Sequence, residues 1–239
     1  MIYIGLLDVE KIDTDNIEIS IFPDKVVQKI GKMKCESEKK LRTGAYLLLS
    51  VLYNKLVFGK DGYTSLPSIE CTGDGKPYFK ESEVAFNISH SESVSAVCIS
   101  DTGDAIGIDI QSEPKNKRML ERAMERFFAP IKKNYEETAK AEDEKEAEAE
   151  IFFYTFDGEM KEIEEKAFAD DFRIVNASEE KDMLLKWTAF EALVKMEGCG
   201  IGKARRLNED GVADALCKSA CFAKNKVRYA VTLAVGKDA

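Results

Sequence analysis

The pattern of apolar and polar positions predicts a protein that mixes strands and helices. Residues 2–9 are rich in Ile and Leu and alternate weakly, as a strand near an edge or core does. After Pro23 a helix is predicted over about 24–34. A longer one follows over about 37–58, where Leu41, Ala45, Leu48, Leu49 and Leu52 recur at helical spacing and mark a largely buried face. Gly59, Asp61-Gly62, Gly73, Gly75 and Pro77 make the stretch up to about residue 82 a loop. Strands at 84–88, 94–100 and 105–111, joined by short polar connections, read as one antiparallel sheet. A helix over 115–128 follows, then a strong helix over about 181–197 that stops at Gly198, then strands at 219–223 and 227–235 around Lys224-Asn225-Lys226. The apolar strands at 94–100 and 227–235 each come after a long helix, a hint of internal duplication.

Charge changes this picture in one region. Residues 132–180 carry 17 Asp/Glu against 7 Lys/Arg, a balance of −10 within a chain of net charge −9, so the remainder stands at about +1. The Ala/Glu/Lys-rich run at 132–150 predicts a solvated or mobile helix, whereas Ile151, Phe152, Phe153, Tyr154, Thr155 and Phe156 must pack on something. No basic stripe with interleaved aromatics occurs, which argues against a nucleic-acid partner. The opening run Met1–Asp8 is too short for a signal core, and no segment approaches the roughly 20 apolar residues of a membrane span. A cytoplasmic protein without a membrane partner is therefore expected. The six cysteines form no CxxC pair and only one histidine accompanies them, so they read as reduced thiols.

Three segments carry candidate chemistry. In 105–111 the alternation of a strand puts Ile106, Ile108 and Ile110 toward the core and Gly107, Asp109 and Gln111 on the other face. An aspartate is disfavoured there unless it faces water or serves a purpose, so a half-exposed strand with a wet polar side is the competing reading. In 184–200 Trp187, Glu191 and Lys195 share one face of a helix that is otherwise apolar nearly all round. Partial burial of a carboxylate calls for a cationic partner or a metal, and a plain Glu–Lys pair is the alternative. In 84–91 an apolar strand ends in Asn87, Ser89, His90 and Ser91, where side chains and backbone N–H groups can reach an anion; a structural hydrogen-bonding role for the lone His90 competes. Lys76 sits in the stiff Gly75-Lys76-Pro77 turn, and Lys39, Lys40 and Arg42 put cations on the long helix.

Gly75-Lys76-Pro77, the FNISHS run at 86–91, GIDI at 107–110 and the W-x-x-x-E-A-x-x-K run at 187–195 ending in Gly198 and Gly200 resemble, in order, the signature motifs of Sfp-type phosphopantetheinyl transferases. The resemblance covers the chain except about 132–180, where the family has a shorter connection. It implies an α/β (α+β) fold of two similar pseudo-symmetric lobes, each an antiparallel sheet packed with a long helix, with the active site between them. The lobes would be 1–104, with the 3′-phosphate and nucleotide contacts, and 105–239, with the metal and catalytic residues and an acidic insertion at about 132–180. The implied activity is Mg²⁺-dependent transfer of the 4′-phosphopantetheine arm of coenzyme A to a serine of an acyl, peptidyl or aryl carrier protein, releasing 3′,5′-ADP, by a monomer. Asp109 and Glu191 would be the metal ligands, with Glu191 also the base. Lys195 would contact the pyrophosphate, Arg42, Lys76, Ser89 and His90 the nucleotide end, and Lys25 and Lys29 further phosphates. The chain departs from the family at Gln111, where many relatives have Glu, and at Phe190, where Lys is usual. A catalytically weakened module that binds coenzyme A or a carrier protein is the alternative those departures suggest.

Overall fold

The strand at the start of the chain, β1 (Ile2–Asp8), is buried along nearly its whole length and is paired at both edges: antiparallel with β5 (Val94–Ser100) and parallel with β7 (Ile151–Phe156). A strand buried on both faces needs apolar residues on both, which explains its weak alternation. The structure is a computed structural model that describes residues 1–128, 150–162, 172–174, 182–204 and 215–236. Those residues form a mixed α/β fold with four α-helices, several strands and short 3₁₀ turns. None of the described helices is long and apolar enough to cross a membrane. The acidic helix expected over 132–150 lies almost entirely outside the described residues.

Two compact units divide the described chain. The first comprises 1–73, 77–103 and 150–162; the second comprises 74–76, 104–128, 172–174, 182–204 and 215–236.

In the first unit the sheet order is β4-β5-β1-β7-β8, with β4 at Ala85–Ser91 and β8 at Met160–Glu162. The short helix α1 (Asp24–Gly31) starts after Pro23, and α2 (Glu36–Phe58) closes on Gly59 in the left-handed conformation. The middle of α2 is buried on every side, from Thr43 to Asn54, and its Leu48, Leu49 and Leu52 join Leu7, Phe86 and Ile99 in the core. Two polar groups in that buried stretch have backbone partners: Ser50 donates to the carbonyl of Thr64, and Asn54 to the carbonyls of Lys60, Asp61 and Gly62 at 3.2, 3.1 and 3.3 Å. The following loop is thereby fastened to the helix, and a small hairpin of β2 (Ile69–Cys71) and β3 (Pro77–Phe79) breaks what the glycines predict as continuous loop.

In the second unit β6 (Ile106–Ser112) heads a sheet of order β6-β11-β10-β9, with β9 at Phe172–Ile174, β10 at Ala215–Lys224 and β11 at Val227–Gly236. Helix α3 (Lys117–Ala123) runs into a π-turn at Met124–Phe128, and α4 (Met183–Glu197) packs on β6 and β11. Each unit contains a strand, a long helix and a hairpin, and in each the first strand pairs antiparallel with the second strand of the hairpin: β1 with β5, β6 with β11.

Two sequence expectations about sheets are corrected. The strands at 84–88, 94–100 and 105–111 do not form one sheet, because β6 leaves β4 and β5 and pairs with β11 from Ile106↔Val235 to Ser112↔Tyr229. The aromatic run at 151–156, expected within the C-terminal half, belongs to the first unit. Its Phe152 and Tyr154 rings each stand edge-on to Tyr3 at 5.4 Å, and it covers an edge that β1 would otherwise expose.

Candidate functional site

Helix α4 is built to be held rather than to float. Its N-cap Asp182 accepts from the amides of Leu184 and Leu185 at 3.0 and 3.5 Å, and the same carboxylate pairs with Arg228 of β11. At the other end Gly198, with φ +70°, takes the left-handed cap. Between the caps Leu184, Leu185, Ala189, Ala192, Leu193 and Met196 are buried, which leaves Glu191 and Lys195 as partly buried charges on an apolar helix.

What brings these charges to a partner is Gly107. A Cβ at that position would overlap the carbonyl oxygen of Ala192 and the amide nitrogen of Met196 and would lie 2.9 Å from Met196 Cα, so only glycine lets α4 approach β6 this closely. Two residues on, and therefore on the same face, Asp109 is only 3% exposed. The reading of 105–111 as a strand with a wet polar side is thus overturned: the Gly107/Asp109 face lies under α4, and Ile106, Ile108 and Ile110 are buried as well.

Lys195 Nζ donates to Asp109 Oδ1 at 2.6 Å. Glu191 sits beside the same pair, with its carboxyl pushed up to about 8, first by burial and then by the negative charge of Asp109; Lys195 and a hydrogen bond from the Trp187 indole act the other way. Burial and the charge of Asp109 thus favour the protonated form of Glu191 near neutral pH, and a further cation beside the two carboxylates would favour the ionised one. No group of three or more His, Cys, Asp or Glu side chains gathers among the described residues. Two carboxylates suit Mg²⁺, which commonly takes one or two from the protein and fills its octahedron with water and substrate phosphate oxygens. The donor set therefore fits that ion.

The two departures at this site have different surroundings. Gln111 lies on the same strand face as Asp109 and is partly exposed. Phe190 is fully buried, its ring 5.5 Å from that of Trp187, so here the position serves the core and a lysine would have to be desolvated. Behind the cluster runs a buried hydroxyl chain, with Thr188 Oγ1 2.9 Å from Thr232 and Ser219 2.7 Å from it; Thr232 is the register partner of Asp109. Sequence reasoning missed Gly107, although a glycine inside an apolar strand is itself a signal of close backbone approach.

Lys76 belongs to the second unit as well, where its ammonium donates to the backbone carbonyls of Met196 and Ile106 at 2.6 and 3.2 Å.

The other candidates lie in the first unit. His90 is exposed near the end of β4, on the face shared with Phe86 and Ile88, and its register partner Ser95 donates to the carbonyl of Leu41 at 3.1 Å. That bond sets the start of α2, and with it Arg42, beside the strand end that carries His90. Ser89 is buried on the opposite strand face, with Asn87 and Ser91. Lys25 and Lys29 are exposed one turn apart on α1, and Lys25 lies 3.6 Å from Glu70, which Lys80 approaches to 3.4 Å. The structure thus gathers Asp109, Glu191 and Lys195 tightly, sets Arg42 near His90, and divides Ser89 from His90. No protein-family model matches the chain, and no curated protein matches it either.

Proposed function

We propose that the protein is a phosphopantetheinyl transferase that moves the 4′-phosphopantetheine arm of coenzyme A to a carrier-protein serine. The observation that carries the reading is the Asp109, Glu191 and Lys195 cluster: two carboxylates from different elements and one lysine, pressed together by a helix that Gly107 admits. It agrees with the ordered motifs that resemble the family. The matching strand, helix and hairpin order of the two units supports the further proposal that they are similar lobes.

In this reading Asp109 and Glu191 hold Mg²⁺, which when bound supplies charge neutralisation for the pyrophosphate. Lys195 shares its charge between Asp109 and the substrate. Glu191, directly or through a water, accepts the proton of the attacking serine. The serine oxygen forms a bond to the phosphorus next to the pantetheine, the pyrophosphate P–O bond breaks, and 3′,5′-ADP leaves. Arg42 and His90 bind the nucleotide end, with Ser89, Lys25 and Lys29 as further contacts. The enzyme acts as a monomer in the cytoplasm.

The direct test is intact-mass measurement of candidate carrier proteins incubated with the protein, Mg²⁺ and coenzyme A. Carriers should gain one phosphopantetheine while an equal amount of 3′,5′-ADP appears. Coenzyme A binding without either product would instead establish a binding module. A second expectation concerns Arg42 and His90. Charge-assisted hydrogen bonds are each worth about 1.5–3 kcal/mol, so Arg42→Ala or His90→Ala should weaken coenzyme A binding by roughly tenfold or more while barely changing that of dephospho-coenzyme A. Equal losses for both nucleotides in calorimetric titrations would make the two residues structural.

A further inference from the structure

A lysine that donates to two backbone carbonyls is doing something a phosphate contact does not require. Lys76 reaches the carbonyl of Ile106, the first residue of β6, and that of Met196, in the last turn of α4. Carbonyls in a final helical turn lack intrahelical partners and carry the negative end of the helix dipole, so an ammonium is favoured there. The lysine stem runs over Gly198, where an added Cβ would lie 3.1 Å from Lys76 Cδ and 3.5 Å from its Cβ. The same short segment is fastened a second time, because Asp74 pairs with Lys203 of the 3₁₀ turn Ile201–Lys203 that follows the helix.

We infer that Lys76 is a positioning residue that fixes the spacing of β6 and α4, and with it the placement of Asp109 relative to Glu191 and Lys195. Its two contacts sit close to the cluster on both elements: Ile106 is three residues before Asp109, and Met196 directly follows Lys195. Gly107 allows the two elements to meet; Lys76 ties the end at which they could splay. The inference takes from the proposed function only that Asp109 and Glu191 hold a divalent cation.

The sole tryptophan, Trp187, is hydrogen-bonded to Glu191 and gives a probe that needs neither coenzyme A nor a carrier. Binding of Mn²⁺ alone to the full chain, followed by quenching of Trp187 fluorescence, should weaken by about tenfold in Lys76→Met, the lower end of what loss of a supporting partner of a metal ligand produces. Lys76→Arg, whose guanidinium can serve both carbonyls, should restore most of the affinity. Arg42→Ala, a control on the nucleotide contacts, should leave it unchanged. Unaltered Mn²⁺ affinity in Lys76→Met would overturn the inference, since a lysine acting only on a phosphate has no effect without the nucleotide.

Absence of Mn²⁺ binding in the wild type would instead remove the metal reading. The positioning claim would then be decided by amide hydrogen exchange: Lys76→Met should lose protection in the last turn of α4, and unchanged protection would sink it. If Lys76→Met does not fold, Lys76→Gln, which keeps an amide donor, is put through the same two measurements with the same deciding outcomes.

Discussion

Replacing Asp109 with Ala, or Glu191 with Gln, should lower transfer to a carrier protein by at least about a hundredfold, equivalent to roughly 2.7 kcal/mol of transition-state stabilisation. The two substitutions act on one charge cluster from opposite sides, so their effects on the folded protein should differ even as both lower turnover. Asp109→Ala leaves Lys195 without the carboxylate it meets at 2.6 Å, and the protein should be less stable near neutral pH. Glu191→Gln removes a carboxyl whose proton affinity is raised from 4.5 to about 8 by burial and by Asp109. Below about 4.5 the wild-type group is protonated in both the folded and the unfolded chain and has no differential effect. As pH rises toward about 8 the unfolded chain ionises while the folded one holds its proton, and wild-type stability falls relative to Glu191→Gln. Without added metal, thermal unfolding should therefore show a gap in favour of Glu191→Gln that widens between pH 5 and pH 8. Rates of 3′,5′-ADP release measured on the same samples supply the other half. Near-normal turnover by well-folded Asp109→Ala protein would remove this cluster from the mechanism.

Local elements were legible because period and punctuation were strong. Gly59 and Gly198 stop α2 and α4 as left-handed caps, and the apolar spacing of Leu48, Leu49 and Leu52 marks the buried part of α2. Strand partnership was not legible. Whether β6 joins β5 or β11 depends on contacts far apart in sequence, and a run such as 105–111, buried on both faces, fits either neighbour equally well. The aromatic run at 151–156 demanded packing, but nothing in its composition named β1 as its partner. In the site, charge in an apolar context singled out Asp109, Glu191 and Lys195. Lys76 was legible only as a cation in a turn, because its two acceptors are main-chain carbonyls that carry no residue signature.

The helix-on-strand contacts of the two units differ in a way that agrees with the proposed site in the second. In the first, Gly5 of β1 faces α2, where an added Cβ would meet Leu48 and Leu52, and two residues later Leu7 fills the core. In the second, Gly107 faces α4, and two residues later stands the buried Asp109. A helix-on-strand contact is closed by leucine in the first unit and by a carboxylate with a lysine in the second. Burying Asp109 there is a departure from good core design, of the kind that sites retain for function.

Gly107→Ala should be the most damaging single-methyl substitution in this unit. Ordinary overpacking costs about 1–3 kcal/mol because side chains can move aside. Here the added Cβ meets Ala192 and Met196 main-chain atoms of a helix held at its ends by Asp182 with Arg228 and by Lys76, so no rotamer change relieves it. A loss of at least about 3 kcal/mol is expected, read as a lower urea midpoint. Whatever folds must hold α4 farther from β6, which separates Glu191 from Asp109 and should weaken Mn²⁺ quenching of Trp187. Gly31→Ala is the matching control: it ends α1 with no atom within 4 Å of the added Cβ, and it should be neutral or stabilising by about 0.4–1 kcal/mol. A Gly107→Ala protein with the wild-type urea midpoint and wild-type Mn²⁺ affinity would show that α4 can retreat without consequence, and the tight contact could then no longer be what assembles the site.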